Sequence, residues 1–319
     1  MEEKPREDDD RKSRWLGTLL TTLCFVAPVV AAEAGGVFNI LIPLPVFYYL
    51  TRLGKGKGRM IVFQAMLVAL GVAALMGRID ELLVSFGFLS LGAFLYWARQ
   101  KDMSPLRTVV GGVAMLAMFF IVFFLLVAAA TRSNPYNHMI VALNQELDTG
   151  FSYYKERVKM TPDEEKEMAA VFSETRKTIE RLLPAMAIMG LSTMVLVNLF
   201  VGNWLLKNRT PEQTTGVAFN EWRLPEYLVW MVIATGGAII APHDLANTIG
   251  LNALFILGGL YLIQGFAILG HLFNRWSVPR PVRILVYLLL SQTYGIIFMA
   301  GLGLLEVWVD LRGSKQKDS

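Results

Sequence analysis

Between Arg107 and Arg132 the chain carries no charged residue, and similar runs recur at residues 60–77, 82–98 and 183–206. Each is long enough to cross a hydrocarbon layer roughly 30 Å thick. Within such a layer every backbone N–H and C=O must be satisfied by the protein, so a spanning segment is a helix or part of a closed barrel. Barrel strands alternate polar and apolar residues over short segments, whereas these runs are continuous. They specify an all-α fold. Composition agrees: charged residues make up 18% of the 319, against roughly 25% in soluble domains.

The long polar insert at residues 131–182 divides the apolar chain. The expected organisation is a polar tail (1–15), a first membrane block of about five spans (16–130), the insert, a second block of about four spans (183–310) and a polar tail (311–319). The whole reads as a polytopic transmembrane helix bundle of about eight or nine spans. In the first block, Gly35-Gly36, Pro43 and Pro45 break one over-long apolar run, because proline removes a backbone donor and clashes with the preceding turn. The basic stretch with Arg52, Lys55, Lys57 and Arg59 follows as a flexible turn. Its glycines lack the spacing and hydroxyl residue of a phosphate loop. The next two spans meet at a tight polar turn, residues 78–81. In the second block Pro225 suits a first helical turn, and Trp222, Tyr227 and Trp230 suit the membrane interface.

The insert reads as a helical hairpin. Asn134-Pro135 signals a turn, and a helix is expected over 136–154. Thr161, Pro162 and Glu164 form a helix start in which Thr161 caps and Glu164 reaches back. Basic residues concentrate at 52–59, 99–107 and 275–283, which places those loops and the N-terminus in the cytoplasm. The hairpin then lies outside. Nine spans would put the C-terminus outside as well, although Arg312, Lys315 and Lys317 favour the inside. Two arrangements resolve this: the last apolar segment, with Gly295, Gly301 and Gly303, breaks in two, or one span upstream is re-entrant.

Polar groups cost free energy inside a membrane, so those present are candidates for function. Toward the outer side lie Glu33, Asn39, Arg78, Asp80 and Glu81, and a second group of His243, Asp244, Asn247 and Asn252. Together they could contact a solute in one outward-opening pocket; the alternative is that they are solvated loop ends. Gln64, Asn198, Gln264 and Gln292 lie deeper, where helix–helix hydrogen bonds account for them. No paired-histidine zinc motif, cysteine pair or nucleophile elbow occurs, so no metal, cofactor or catalytic residue is assigned and the chain reads as a non-enzyme. Nothing points to nucleic acid; the bilayer is the one partner the composition requires.

The segment FNEWRLP at 219–225, Gln264-Gly265 and the ending GLGLLEVWVDLR resemble the YybS-like family of bacterial multi-pass membrane proteins, defined by a domain of unknown function. That family is distantly similar to the S components of energy-coupling-factor transporters. The similarity rests on Ala27-x-x-x-Ala31 in the first helix, the proline-bearing LIPLP before a short second helix, and the basic glycine turn. It implies that Ala27 and Ala31 dock onto a coupling subunit and that a small solute, its identity unspecified, binds near the outer side. Pro28 departs from the docking pattern, and the chain exceeds the usual six helices. The alternative function is a membrane scaffold or regulator that recruits a protein through its inner basic loops or outer hairpin.

Overall fold

The computed structural model describes residues 4–31, 38–158, 161–207 and 219–313; within its helices the side chains at 4–14, 80, 81, 83 and 162 fall outside that description. Among the described residues the regular structure is helical throughout. In order the helices are α1 (Lys4–Val30), α2 (Pro43–Met76), α3 (Ile79–Gln100), α4 (Pro105–Thr131), α5 (Pro135–Arg157), α6 (Pro162–Lys207), α7 (Leu228–Ile240), α8 (Asp244–Arg275), α9 (Arg280–Leu290) and α10 (Thr293–Leu305), with a 3-10 turn at Phe219–Glu221. Four of them, α2, α4, α6 and α8, are long and apolar enough to cross a membrane. The pair α9 and α10 makes a fifth candidate, bent by 102°, and Trp15–Val30 and Leu228–Ile240 are shorter apolar helices. The last span expected over 283–309 is therefore two helices broken at Ser291-Gln292. The expected turn at 78–81 is also narrower than its polarity implied. Helix α3 already begins at Ile79, placing Asp80 and Glu81 in a helical first turn, where acidic residues favour the helix dipole.

The chain packs as two compact units, Met1–Phe123 with Gly190–Val217, and Phe124–Met189 with Ala218–Ser319. In the first, α2 is folded rather than straight. Gly54 has φ 74° and ψ 178°, a conformation open to glycine and strained for other residues. A β-carbon placed on Gly58 would lie 2.5 Å from the Tyr49 carbonyl oxygen. In a straight helix those residues would stand roughly 13 Å apart along the axis. The short arm, 43–53, thus turns back on the long arm, 55–76. The long arm buries Ile61, Ala65, Ala69 and Ala73, one per turn. The three alanines share a core with Phe25 and Val29 of α1 and Val46 and Leu50 of the short arm. Small side chains let the helix backbones approach closely. The basic turn expected at 52–59 exists, narrowed to a single non-helical residue.

In the second unit, α5 and the first half of α6 form the expected hairpin. Asn134 accepts from the Tyr136 N–H at 3.0 Å. At the start of α6 the Thr161 N–H donates to Glu164 at 2.7 Å, and Thr161 Oγ1 accepts from the Glu164 N–H at 3.4 Å. Phe151 packs on Phe172, with ring centroids 4.7 Å apart, and ion pairs Arg176–Asp148 and Lys155–Glu165 cross the hairpin. The Thr161 N–H, then its hydroxyl, hold the Glu164 carboxyl below the usual glutamate range. A lowered folded-state value means that this cap stabilises the helix fully above the ordinary glutamate value and is lost as pH falls through the lowered one. The protection of the first α6 amides, measured relative to their intrinsic exchange at each pH, should therefore fall as pH drops below the ordinary glutamate range, and in Thr161→Ala that acid step should shrink. An unchanged acid step in the variant would remove Glu164 as its source.

The same unit joins the three stretches FNEWRLP, Gln264-Gly265 and GLGLLEVWVDLR. Gln264 accepts from the Leu224 N–H at 2.7 Å and donates to the Gly303 carbonyl at 2.9 Å. Beside it α8 and α10 meet backbone to backbone: a β-carbon on Gly265 would overlap the Met299 carbonyl, and one on Gly303 the Tyr261 carbonyl. Beyond α10, Arg312 holds Glu306 through two bonds of 2.6 and 2.7 Å and donates to the carbonyls of Asn220 and Trp222 at 2.9 and 2.8 Å. Arg223 stands 3.2 Å from Asp310 and 3.9 Å from Glu306. Trp222 is buried, not interfacial as expected, because its backbone is held in this clamp. Tyr227 and Trp230 are exposed. Pro225 precedes α7 by three residues, its carbonyl accepting from the Leu228 N–H at 3.2 Å.

Candidate functional site

The site begins with a length mismatch. The long arm of α2 rises about 33 Å, enough for the hydrocarbon layer, while the short arm rises about 16 Å. Both arms start at Gly54, so the short one ends about half-way along the long one. There residues 40–42 form a turn after the helical pair Phe38-Asn39, and its bonds are short-range, such as Leu41 N–H to Phe38 at 3.0 Å and Ile42 N–H to Asn39 at 3.3 Å. Irregular backbone at membrane depth survives where it is buried in protein or lines a cavity. Two helices of the same unit supply what the turn needs. Asn198, on α6 and 1% exposed, donates from Nδ2 to the Ile40 carbonyl at 2.8 Å and to its own helix at Met194. Ser85, buried on α3, meets Asn39 Oδ1 at 3.4 Å. The close approach of α3 is fixed one level deeper, where a β-carbon on Gly92 would lie 2.5 Å from the Pro43 carbonyl.

One acceptor in this cluster has no partner among the described residues: Asn198 Oδ1 is buried and makes no hydrogen bond with them. An unpaired buried carbonyl is unfavourable by about 1–3 kcal/mol, and it can be recovered by a solute N–H or O–H placed against it. Chemically the turn offers hydrogen-bonding groups without charge, in an apolar setting. It can orient a small polar solute; it holds no nucleophile–base pair. Among the described residues no cluster of three metal-ligating side chains occurs.

The remaining candidates separate by unit. In the first, Arg78 donates to the Val29 carbonyl at 2.9 Å and so caps the end of α1. Glu33 and the side chains of Asp80 and Glu81 lie outside the described residues. Ala27 and Ala31 are half-buried at the end of α1, with the Ala31 N–H bonded to the Ala27 carbonyl at 2.9 Å. In the second unit, His243 and Asp244 are exposed at the start of α8. Asn247 donates to the Ile239 carbonyl at 2.8 Å, tying α7 to α8.

Asn252 has a structural task. Pro184 lies inside α6, and one residue on the Ala185 N–H donates to Asn252 Oδ1 at 3.0 Å. Asn252 Nδ2 returns a bond of 2.7 Å to the Arg181 carbonyl, the acceptor Ala185 would otherwise use. The carboxamide thus braces the helix at its internal proline. Asn252→Leu should lower stability by about 1–2 kcal/mol through the two orphaned backbone groups, measured by thermal unfolding in detergent. A variant as stable as the parent would sever Asn252 from this role.

Sequence reading picked Asn39 and Asn198 as polar but did not connect them, and it missed Ser85. The signal was present in the proline-broken LIPLP, which leaves carbonyls needing donors. The buried Glu306–Arg312 pair was also missed; a glutamate ending a glycine-rich apolar run, with an arginine soon after, could have revealed it.

Residues 19–307 match the family described as Predicted membrane protein (DUF2232). Among curated proteins, the chain is 22% identical over 297 residues to “Uncharacterized protein YybS” of Bacillus subtilis (strain 168), covering 92% of this chain and 91% of that protein. No solved structure matches.

Proposed function

Because this chain belongs to the DUF2232 family of predicted membrane proteins, we propose that it is a transport-related component of the bacterial cytoplasmic membrane. In this reading it binds a small solute at the Phe38–Ile42 turn. The observation that carries the reading is the turn at residues 40–42, bonded to Asn198, whose buried Oδ1 has no partner among the described residues. Discontinuous helices that leave polar backbone inside a membrane are a common way to build a solute site. Asn39, Ser85 and Asn198 are the proposed contacts, joined on sequence grounds by Glu33, Asp80 and Glu81. The resemblance to S components is supported by the first unit, whose described helical segments are α1, the two arms of α2, α3, α4 and the second half of α6. That is the usual six. Ala27 and Ala31 are the proposed contact with a coupling subunit. The basic turn at Gly54 faces the cytoplasm in this arrangement, and the α5–α6 hairpin the exterior.

A thermal-shift screen of the purified protein against vitamins, nucleobases and metal ions tests the proposal. At least one compound should raise the unfolding midpoint, and Asn39→Leu or Ser85→Val should weaken its binding about tenfold, the worth of one hydrogen bond of roughly 1.4 kcal/mol. If no compound stabilises the protein and no coupling subunit co-purifies, the proposal fails.

The hairpin supports a second reading, a scaffold that recruits a partner protein. Its capped, ion-paired arms expose Tyr136, Met139, Val141, Tyr153 and Val171. Under that reading, deleting residues 136–182 abolishes function while Asn39→Leu and Ser85→Val leave it intact. The reverse pattern excludes it.

A further inference from the structure

We propose that a groove between α1 and the long arm of α2 is a binding site for one anionic phospholipid of the bilayer. The groove encloses about 620 Å³ and is independent of the Phe38–Ile42 turn. Trp15, Met60, Ile61 and Val68 form its apolar walls, Thr18 and Gln64 lie along it, and Lys57 stands at one end. Thr18 Oγ1 meets Gln64 Oε1 at 3.4 Å.

Three features select this occupant. Trp15 opens the apolar part of α1, and Met60 follows the last charged residue before the apolar part of the long arm, so both walls enter the hydrocarbon at the same end. Tryptophan at that level is typical of the headgroup boundary. From Lys57 to Val68 the long arm rises about 16 Å, roughly the depth of one leaflet. The groove therefore has the reach of an acyl chain that starts at a headgroup. At the headgroup end Lys55 and Arg59 are exposed beside Lys57 around the tight turn, and cations at that level favour an anionic over a zwitterionic headgroup. Trp15 and Met60 are 72% and 59% exposed, which leaves the groove open sideways, the direction from which a lipid arrives.

The full chain in neutral detergent is titrated separately with phosphatidylglycerol, phosphatidylcholine and glycerol phosphate while its thermal midpoint is followed. Phosphatidylglycerol should raise the midpoint by roughly 3 °C more than phosphatidylcholine near saturation, and glycerol phosphate should do nothing. Met60→Trp, which fills the mouth, and Val68→Phe, which fills the deep end, should each remove at least half of the phosphatidylglycerol shift. The combined variant Lys55→Gln, Lys57→Gln and Arg59→Gln should respond to both lipids alike. Equal shifts from the two lipids on the parent chain, a full shift from glycerol phosphate, or an undiminished preference in both filled variants would overturn the assignment.

Discussion

Arg312→Met is expected to destabilise the folded protein by about 3–5 kcal/mol, the typical consequence of leaving one member of a buried ion pair without the other. Arg312 and Glu306 are 6% and 4% exposed. Removing the guanidinium strands the Glu306 carboxylate with only Arg223 at 3.9 Å. It also strips the Asn220 and Trp222 carbonyls of the donors that hold the segment before α7 in place. The double variant Glu306→Leu, Arg312→Met should recover part of the loss, because no buried charge is then left unpaired. Recovery should be incomplete, since the two carbonyls stay without donors. Denaturant-induced unfolding of parent, single and double variants in one detergent measures all three. A single variant within about 1 kcal/mol of the parent would show that the pair does not hold the fold together.

Gly303→Val should also be severe, about 3 kcal/mol, at the upper end of the usual overpacking range. The reason is geometric: any β-carbon at this position overlaps the Tyr261 carbonyl, which is backbone and cannot swing aside. To admit it, α8 and α10 must separate, and the Gln264 bonds to Leu224 and Gly303 stretch with them. Gly301 on the same helix is the control, because a β-carbon there meets nothing within 4 Å. Gly301→Ala should unfold like the parent. If both variants unfold alike, the crossing of α8 and α10 is looser than described.

Much of the helical architecture was legible because its causes are local. An uncharged apolar run must bond its own backbone in a membrane, and Thr161 with Glu164 can cap only a helix that starts beside them. The hairpin over residues 135–182 accordingly formed where its caps placed it. What the letters leave out has one origin. Asn252, Arg78 and Asn247 read as solute ligands because they are polar residues near apolar ends. In the fold each spends its hydrogen bonds on a backbone group freed by a helix end or a proline. A sequence shows the donor but not the orphaned carbonyl across the fold. Arg312 was read as a tail charge for the same reason: its partner Glu306 faces it only once the chain turns after α10. Of the candidate site, Asn39 and Asn198 were visible as isolated letters. Their meeting at one turn depends on Gly54 reversing α2, and nothing in the letters of 52–59 specifies how sharply that turn closes.

The fold-back at Gly54 has a bearing on how the protein is made. An arm of about 16 Å cannot cross a bilayer by itself, so residues 43–76 must enter as one hairpin, the long arm carrying the short one. The Ile40 carbonyl then waits for Asn198, which lies 158 residues further along the chain. At about 5–20 residues per second that interval is roughly 8–30 s. During synthesis the nascent chain thus holds an unfinished turn, open to whatever donor the insertion machinery or water provides, until Asn198 arrives to close it.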